Sequence, residues 1–238
     1  MWLESSLFEY SFADGESKVH LKSDRKMALH VAMREIRRSR RELIEYIQKH
    51  PEFQYALESV RTPRGAPYIV RVMIDASTAA RVGPMASVAG ALADLGMIAM
   101  LRSGAKTAVV EDGGEIAAFT NQPIIVSLWS GSVELSGRIA FQIVSEDCPI
   151  GIATSSSKTG HALSFGEADS VTVVASSASL ADAAATAICN SVVGRDVEES
   201  IQQGLKRAET IEGARGAVII REGRTGLWGM LPKIVKVK

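Results

Sequence analysis

The stretch "SLADAAATAICN" (residues 179–190) consists mostly of alanine and small aliphatic residues, which is typical of a closely packed helix. Asp182 and Thr186 interrupt it four residues apart, so both would project from one face. A carboxylate and a hydroxyl are hard oxygen donors that suit Mg²⁺. The pair also fits a purely structural helix, in which the dipole favours the acid and threonine bonds back to a carbonyl. Spacing alone favours this structural interpretation, with Ser177 or Ser179 as the N-cap.

The composition of the 238-residue chain is that of a globular protein, with 46% hydrophobic and 23% charged residues. Lys+Arg and Asp+Glu both number 27, and this zero net charge argues against a general nucleic-acid or membrane-surface binder. Cys148 and Cys189 make neither a disulfide framework nor a recognisable metal cluster. The first twenty residues lack a basic region leading into an apolar run, and no 18 consecutive residues are apolar. We therefore expect a cytoplasmic protein.

Strands dominate the middle of the sequence and long helices interrupt them. This order indicates an α+β fold with mixed or antiparallel sheets flanked by helices. We find no composition break, so we expect one domain over residues 1–238, in which residues 1–50 form an N-terminal hairpin and helix. The periodicity predicts helices at 25–50, 83–101, 179–190 and 196–208, and strands at 7–22 (a hairpin), 68–76, 106–119 (a pair), 122–131, 136–144, 150–157, 169–176, 216–223 and 225–230.

The first helix is amphipathic, but Arg40 occupies one step of its apolar stripe. We interpret Arg40 as an arginine that extends its charged end to solvent at the stripe's edge. The basic cluster "RRSRR" (37–41) is flanked by glutamates, so we interpret it as a solvated, salt-bridged face rather than a phosphate site. A role of this helix in forming a homo-oligomer is left open.

Two segments combine glycine with groups that could bind a ligand. "VGPMAS" (82–87) begins a helix whose free N–H groups and positive dipole end suit a phosphate, although a plain helix N-terminus looks the same. "EDGGEI" (111–116) brings Glu111, Asp112 and Glu115 to a Gly-Gly turn. A hairpin turn of this kind needs no function, but three acids around it are less expected.

A third segment, "GIATSSSKTGHALSFG" (151–166), follows a strand and collects hydroxyls, Lys158 and His161 between glycines. These groups can hold phosphate or pyrophosphate, and they also occur in ordinary exposed loops. A hydrolase with a serine nucleophile and His161 as base is disfavoured, because the chain has no G-x-S-x-G elbow there.

Taken in order, "GPM", "VVEDGGEI", "GIATSS" and "ADAAAT" resemble the ApbE family of FAD:protein FMN transferases from about Pro51 to the C-terminus. The resemblance is stronger for a cytoplasmic ApbE-like group of archaeal and bacterial proteins. It implies an ApbE-like fold and a site for Mg²⁺ and FAD or FMN. Asp182 and Thr186 match the Asp and Thr of the family's D-x-x-x-T metal motif.

The resemblance also implies residue roles in a ligand site. His161 and Lys158 are the candidate catalytic residues, and His161 matches the family histidine. The chain departs from the transferases in lacking their D-P-x-T-G sequence after this point and the lysine-glycine pair before the flavin-site helix. The candidate cofactor-binding residues are Gly83, Met85, Asp112, Gly113, Gly114, Glu115, Thr154, Ser155 and Ser156.

These matches imply a protein that binds a flavin or another phosphate-bearing ligand with Mg²⁺. The activity they imply is transfer of FMN, or a related phosphoryl-linked group, to a hydroxyl of an acceptor protein with release of AMP. The alternative is a non-catalytic flavin- or nucleotide-binding protein that keeps the fold and the pocket. Neither nucleic acid nor membrane is an expected partner.

Overall fold

The structure, a computed structural model, describes residues 7–127, 139–156 and 166–236. The helices are α1 (Lys26–Lys49), α2 (Glu52–Tyr55), α3 (Tyr68–Ala80), α4 (Val88–Arg102), α5 (Ala178–Ser191) and α6 (Val197–Glu209). The strands are β1 (Phe8–Asp14), β2 (Ser17–Ser23), β3 (Ala108–Asp112), β4 (Glu115–Phe119), β5 (Ile124–Ser127), β6 (Ile139–Ile143), β7 (Ile150–Ser155), β8 (Ser170–Ala175), β9 (Ala214–Arg221), β10 (Arg224–Gly229) and β11 (Lys233–Lys236).

The strands form two sheets, and every pair is antiparallel. The large sheet has the order β1-β2-β3-β4-β7-β8-β9-β10, and the small one has the order β11-β6-β5. The α+β prediction is therefore confirmed, and its open choice between mixed and antiparallel resolves to antiparallel. Because β2 pairs with β3, the N-terminal hairpin belongs to the large sheet. A single domain over the whole chain stays a prediction, which this continuous sheet supports.

The large sheet lies between a helical layer and the small sheet. Val110 and Ala117 belong to the core shared with α1 and α4, while Ala153 belongs to the core shared with α5. Their neighbours Ile116 and Ile152 face the small sheet instead, as the alternation of side chains along a strand requires. The central strands β4, β7 and β8 thus have one helix-facing side and one side facing the small sheet.

The predicted strand at 68–76 is wrong, because this segment forms the first part of α3. Its β-branched residues favour a strand by propensity. Its buried residues Ile69, Val70, Met73, Ile74 and Ser77 recur at helical intervals, and Pro67 stands at the N-cap. Burial of this stripe against the helical layer outweighs the local preference.

The other predicted elements are present in the described residues, with ends shifted by a few residues. Parts of three predicted strands, at 128–131, 136–138 and 157, lie outside the described residues. The predicted helix at 83–101 begins as a 3₁₀ turn at Pro84–Ser87, with proline in its first position, and continues as α4. By length and composition this helix, Pro84–Arg102, could cross a membrane, but 67% of its apolar window is buried inside the protein. Core helices of this kind pass the same test. Helix α2 and strand β11 are additional elements that the sequence analysis did not predict.

Candidate functional site

The antiparallel register places two turns and the end of a third segment at one end of the large sheet. Val19 pairs with Asp112, so the β1–β2 turn lies beside the β3–β4 turn. Ile116 pairs with Ile152, so the last residues of β7 reach the same end. The segments singled out in the sequence at 111–116 and 154–156 are thereby neighbours, although some 40 residues separate them along the chain.

The Gly-Gly turn joins β3 to β4 and sets two acids side by side. Gly113 and Gly114 have φ of 69° and 116°, which only glycine adopts easily, as a two-residue hairpin turn requires. Asp112 and Glu115 form the pair that closes the turn, and both face the helical layer. Glu111, the third predicted acid, belongs to the opposite face by strand alternation. The turn thus has a structural reason, and it presents two of its three acids to the helices.

The "TS" pair at the end of β7 divides between the two faces. Gly151 lies beneath the start of α5, where a Cβ would come 2.0 Å from the carbonyl carbon of Ser177. By alternation, Ser155 shares this helical side and Thr154 lies on the other, where its hydroxyl is 2.9 Å from that of Thr172. The Ser155 hydroxyl is buried and has no hydrogen-bond partner in the described part of the chain. Ser156 is also buried.

Helices α4 and α5 cross so closely that each supplies a carboxylate to the N-terminus of the other. A Cβ on Gly90 would lie 2.2 Å from the Ala178 carbonyl oxygen. The Asp94 carboxylate accepts from the amides of Ala178 and Ser179 at 2.8 and 2.9 Å, and from the Ser179 hydroxyl at 2.7 Å. In return, the Gly90 amide donates to Asp182 Oδ2 at 3.0 Å. The positive end of α4 is therefore partly satisfied by a carboxylate of the protein itself.

The N-cap of α5 is Ser177, one of the two predicted alternatives. Its hydroxyl accepts from the Leu180 amide at 3.3 Å. Ser179 lies inside the first turn, where its hydroxyl donates to the Asp94 carboxylate instead. The prediction of a capped, alanine-rich core helix is thus confirmed for α5.

Asp112, Glu115 and Asp182 make up what we call the carboxyl cluster. Burial raises the pKa of Asp182 well above its usual range, and the negative charge of Glu115 raises it further. Burial also raises the pKa of Glu115 to about 7, with Asp112 and Glu111 adding to it. The pKa of Asp112 rises to about 6 through burial, against the opposing effects of Ser17 and Arg40. A bound cation would relieve this mutual repulsion.

Thr186 is buried one helical turn after Asp182 on α5. The donors of the cluster are oxygens of the kind that Mg²⁺ prefers, so the residues fit this ion chemically. In the described ranges, however, no three His, Cys, Asp or Glu side chains are close enough together to hold a metal ion by themselves. A Mg²⁺ here would need oxygens from water or from a ligand's phosphates.

The remaining predicted site residues lie at the 3₁₀ turn before α4 or outside the described residues. Gly83 is buried at the start of the 3₁₀ turn, where a Cβ would lie 1.8 Å from the Ala56 carbonyl oxygen. Packing therefore accounts for this glycine. Met85 is partly buried against the core beneath α4. Lys158 and His161 lie outside the described residues.

Sequence reasoning missed two ionisable residues that act electrostatically on the carboxyl cluster. Asp94 is the single acid in the apolar sequence of α4, and a lone buried carboxylate signals that a partner must exist. Its partners are 84 and 85 residues away, beyond any local pattern. Arg40 was predicted to extend its charged end to solvent at the edge of the apolar stripe of α1. Its side chain is only 24% exposed, and its positive charge opposes the rise in the pKa of Asp112.

Two open clefts lie on other parts of the surface. One, of about 340 Å³, lies among α1, α3 and α4 and is lined by residues such as Glu35, Tyr68 and Arg102. The other, of about 610 Å³, runs between α3 and the preceding loop and is lined by Arg61, Asp75 and others. Neither is lined by the carboxyl cluster, which carries the more strongly perturbed groups and is therefore the better candidate site.

Comparison with known proteins decides the family. The profile of the family described as "AbpE bacteria" matches residues 2–225. The chain belongs to this ApbE-like family. UPF0280 protein MJ1526 of Methanocaldococcus jannaschii is 41% identical to it over 223 residues, which are 93% of this chain and 90% of that protein. UPF0280 protein MK0206 of Methanopyrus kandleri is 41% identical over 226 residues, 94% and 91% of the two chains.

Solved structures share the ApbE fold. The flavin transferase ApbE from Vibrio cholerae superposes with a TM-score of 0.61 at 14% identity, over 94% of this chain and 96% of that one. The Pseudomonas stutzeri flavinyl transferase ApbE in its apo form gives 0.61 at 14%, over 93% and 95%. The ApbE protein from Thermotoga maritima gives 0.60 at 12%, over 97% of both chains. The predicted ApbE-like fold is confirmed, and at these identities the likeness extends to the fold alone.

Proposed function

We propose that this ApbE-like protein binds a flavin dinucleotide, or a related phosphate-bearing ligand, together with Mg²⁺ at the carboxyl cluster. The observation that carries the proposal is the meeting of Asp112, Glu115 and Asp182 at one end of the sheet. The buried hydroxyl of Ser155, which has no hydrogen-bond partner among the described residues, lies on the same side. Buried groups with raised pKa values and unsatisfied polar atoms are features of ligand sites rather than of inert cores.

Metal and ligand would bind together in this proposal. Asp182 and Thr186 would hold the ion, whose charge would neutralise a pyrophosphate. Because the described side chains cannot complete a metal site alone, phosphate oxygens would supply the missing ligands. Ser155 would donate to the ligand, and the β3–β4 turn would lie against it with Gly113 and Gly114, whose missing side chains leave the backbone accessible.

The reaction that fits this site is transfer of FMN from FAD to an acceptor hydroxyl. The hydroxyl oxygen would attack the phosphorus of the FMN moiety and form a phosphodiester bond, while the bond from that phosphorus to the bridging oxygen breaks and AMP leaves. We assign the hydroxyl proton to His161 and contact with the phosphates to Lys158. The His161 assignment rests on the family resemblance, and the Lys158 assignment rests on the polar, glycine-bounded loop in which this residue lies. A cytoplasmic location also stays a prediction.

The experiment incubates the purified protein with FAD, with and without Mg²⁺, and follows binding by flavin fluorescence and release of AMP or FMN by chromatography. We expect saturable binding that Mg²⁺ strengthens by about tenfold or more, in line with the loss seen when metal sites are disturbed. Thr186→Val keeps the shape of the side chain and removes its oxygen, so it should abolish the Mg²⁺ effect. Failure to bind any flavin or nucleotide would contradict the proposal.

The second candidate is a binding protein without turnover. Two observations favour it. The sequence lacks the D-P-x-T-G segment of the transferases, and Asp182 already accepts a hydrogen bond from Gly90. Saturable FAD binding with neither AMP nor FMN released, in the presence of Mg²⁺ and hydroxyl-bearing peptides, would support this candidate over the transferase.

A further inference from the structure

The structure separates the members of the basic cluster at 37–41 by what each contacts. Arg37 stacks over the ring of Phe12 at 5.2 Å, and Arg38 pairs with Glu35 at 2.6 Å and with Glu42 at 3.7 Å. These contacts agree with a salt-bridged outer face. Arg40 points elsewhere, so the cluster is not one surface.

Arg40 extends from α1 over the β1–β2 turn towards the carboxyl cluster. Its Nη1 lies 3.6 Å from Asp14 Oδ1, and its guanidinium occupies the place where a Cβ on Gly15 would lie. Only 24% of the side chain is exposed. Glycine at position 15 therefore leaves room for the guanidinium, and Asp14 holds it there.

The same turn also reaches Asp112. The Ser17 hydroxyl donates to Asp112 Oδ2 at 3.2 Å, and the charge of Arg40 favours the ionised form of this carboxyl. Asp112 closes the Gly-Gly turn opposite Glu115, so a shift of Asp112 moves one wall of the candidate site. The guanidinium has five N–H donors, and its contact with Asp14 is too long for a close bidentate pair, so donors remain for a further partner.

We propose that Arg40 is a positioning residue of the candidate site: it holds the β1–β2 turn, and Ser17 at the end of that turn anchors Asp112 through its hydrogen bond. The N-terminal hairpin and α1 then contribute to ligand binding by fixing the outer carboxylate of the cluster. This inference rests on the proposed function for the claim that a ligand binds there, and on the contacts above for the role of Arg40.

The experiment compares Arg40→Met and Arg40→Lys with Arg37→Met, a matched change one helical turn earlier on the same helix. We expect Arg40→Met to weaken FAD binding by about tenfold or more, the effect of losing a charge-assisted contact. Arg40→Lys should recover part of the loss, because lysine keeps the charge but not the planar fork. Arg37→Met should bind as the wild type does.

A double-mutant cycle on Arg40→Met and Asp112→Asn, measured by urea unfolding without ligand, tests the coupling between the two residues by itself. We expect the two changes to be non-additive. Additive effects, or FAD binding by Arg40→Met that matches the wild type, would overturn the inference. If the wild type binds no flavin, the proposed function fails, and the cycle still decides whether Arg40 holds Asp112.

Discussion

Asp94 and Asp182 occupy equivalent places at the crossing of α4 and α5, yet their surroundings differ. Each accepts from the first turn of the opposite helix, where the dipole favours a negative charge. Asp94 is buried and receives three hydrogen bonds, which oppose the effect of burial on its pKa. Asp182 receives one from Gly90, and burial and then the charge of Glu115 raise its pKa well above the usual range.

The proposed function would separate a structural carboxylate from one that binds a metal ion. The hydrogen bonds of Asp94 are complete within the protein, so removing it leaves donors without partners. Among the described residues Asp182 accepts one hydrogen bond and has acidic neighbours, so a bound cation would stabilise its charge, as the proposed function requires. In that proposal the same residue type at the same kind of helix end serves two purposes, and the number of hydrogen-bond donors around each carboxylate distinguishes them.

The largest effect should follow from Asp94→Ala. This change leaves the buried Ala178 and Ser179 amides without their acceptor and opens space at the helix crossing. We expect a loss of ~3–5 kcal/mol in the free energy of unfolding, measured by urea denaturation. Asp75→Ala, an exposed aspartate on α3, is the control and should change stability by less than ~0.5 kcal/mol.

Asp182→Asn should have the opposite effect, with little change in stability and a large loss of ligand binding. The amide oxygen can still accept from Gly90, and the change removes a charge from a repelling cluster, so stability should equal or exceed that of the wild type. Mg²⁺-dependent FAD binding should fall by about a hundredfold, as expected for loss of a metal ligand. Asp196→Asn, at a carboxylate that only caps α6, serves as the control. Unchanged binding by Asp182→Asn would mean that both carboxylates are structural.

The pH dependence of stability gives a smaller effect. The pKa of Glu115 is about 7 in the folded protein, above its ordinary value, so between about pH 4 and pH 7 the folded state holds a proton that the unfolded chain releases. This contribution therefore weakens stability as pH rises through that window. Glu115→Gln should raise the melting temperature at about pH 8 more than at about pH 5.

The control for this comparison is Glu45→Gln, an exposed glutamate on α1. Its effect on the melting temperature should be small at both pH values. Equal shifts at the two pH values for Glu115→Gln would show that the Glu115 pKa is not raised in the folded protein.

The smallest effect should come from Ser179→Ala. It removes one of the three donors to Asp94 and leaves both backbone amides in place, so we expect a loss of about 1 kcal/mol in unfolding free energy. FAD binding should not change. A large loss of FAD binding with little loss of stability would contradict the distinction, because it would mean that the contacts of Asp94 also matter for ligand binding.

The sequence was most informative where pattern and environment agree. The hairpins, α1 and α5 follow from turn residues and helical periodicity, and the Asp-Gly-Gly turn was identified with the two acids that close it. The strand predicted at 68–76 is wrong because β-branched residues favour strands locally, whereas the packing of α3 depends on residues far along the chain.

The candidate site was only partly predictable for the same reason. Motif order indicated Asp182, Glu115 and Ser155, but it could not show that Thr154 faces the opposite side, which depends on strand alternation relative to Gly151. It also could not link Asp94 to α5 or Arg40 to Asp112. These pairs lie more than 70 positions apart in the sequence, and only the fold brings them near each other.

The close crossing at Gly90 and Gly151 has a consequence for how substitution data on this protein should be interpreted. A side chain at either position would enter the first turn of α5, which carries the N-terminal contacts of Asp94 and, one turn on, Asp182. A saturation-mutagenesis screen for activity should therefore find these glycines as intolerant as the carboxylates, although they have no side chain with which to react. Loss of activity on substitution of these glycines would therefore indicate disrupted packing and not the loss of a reacting group.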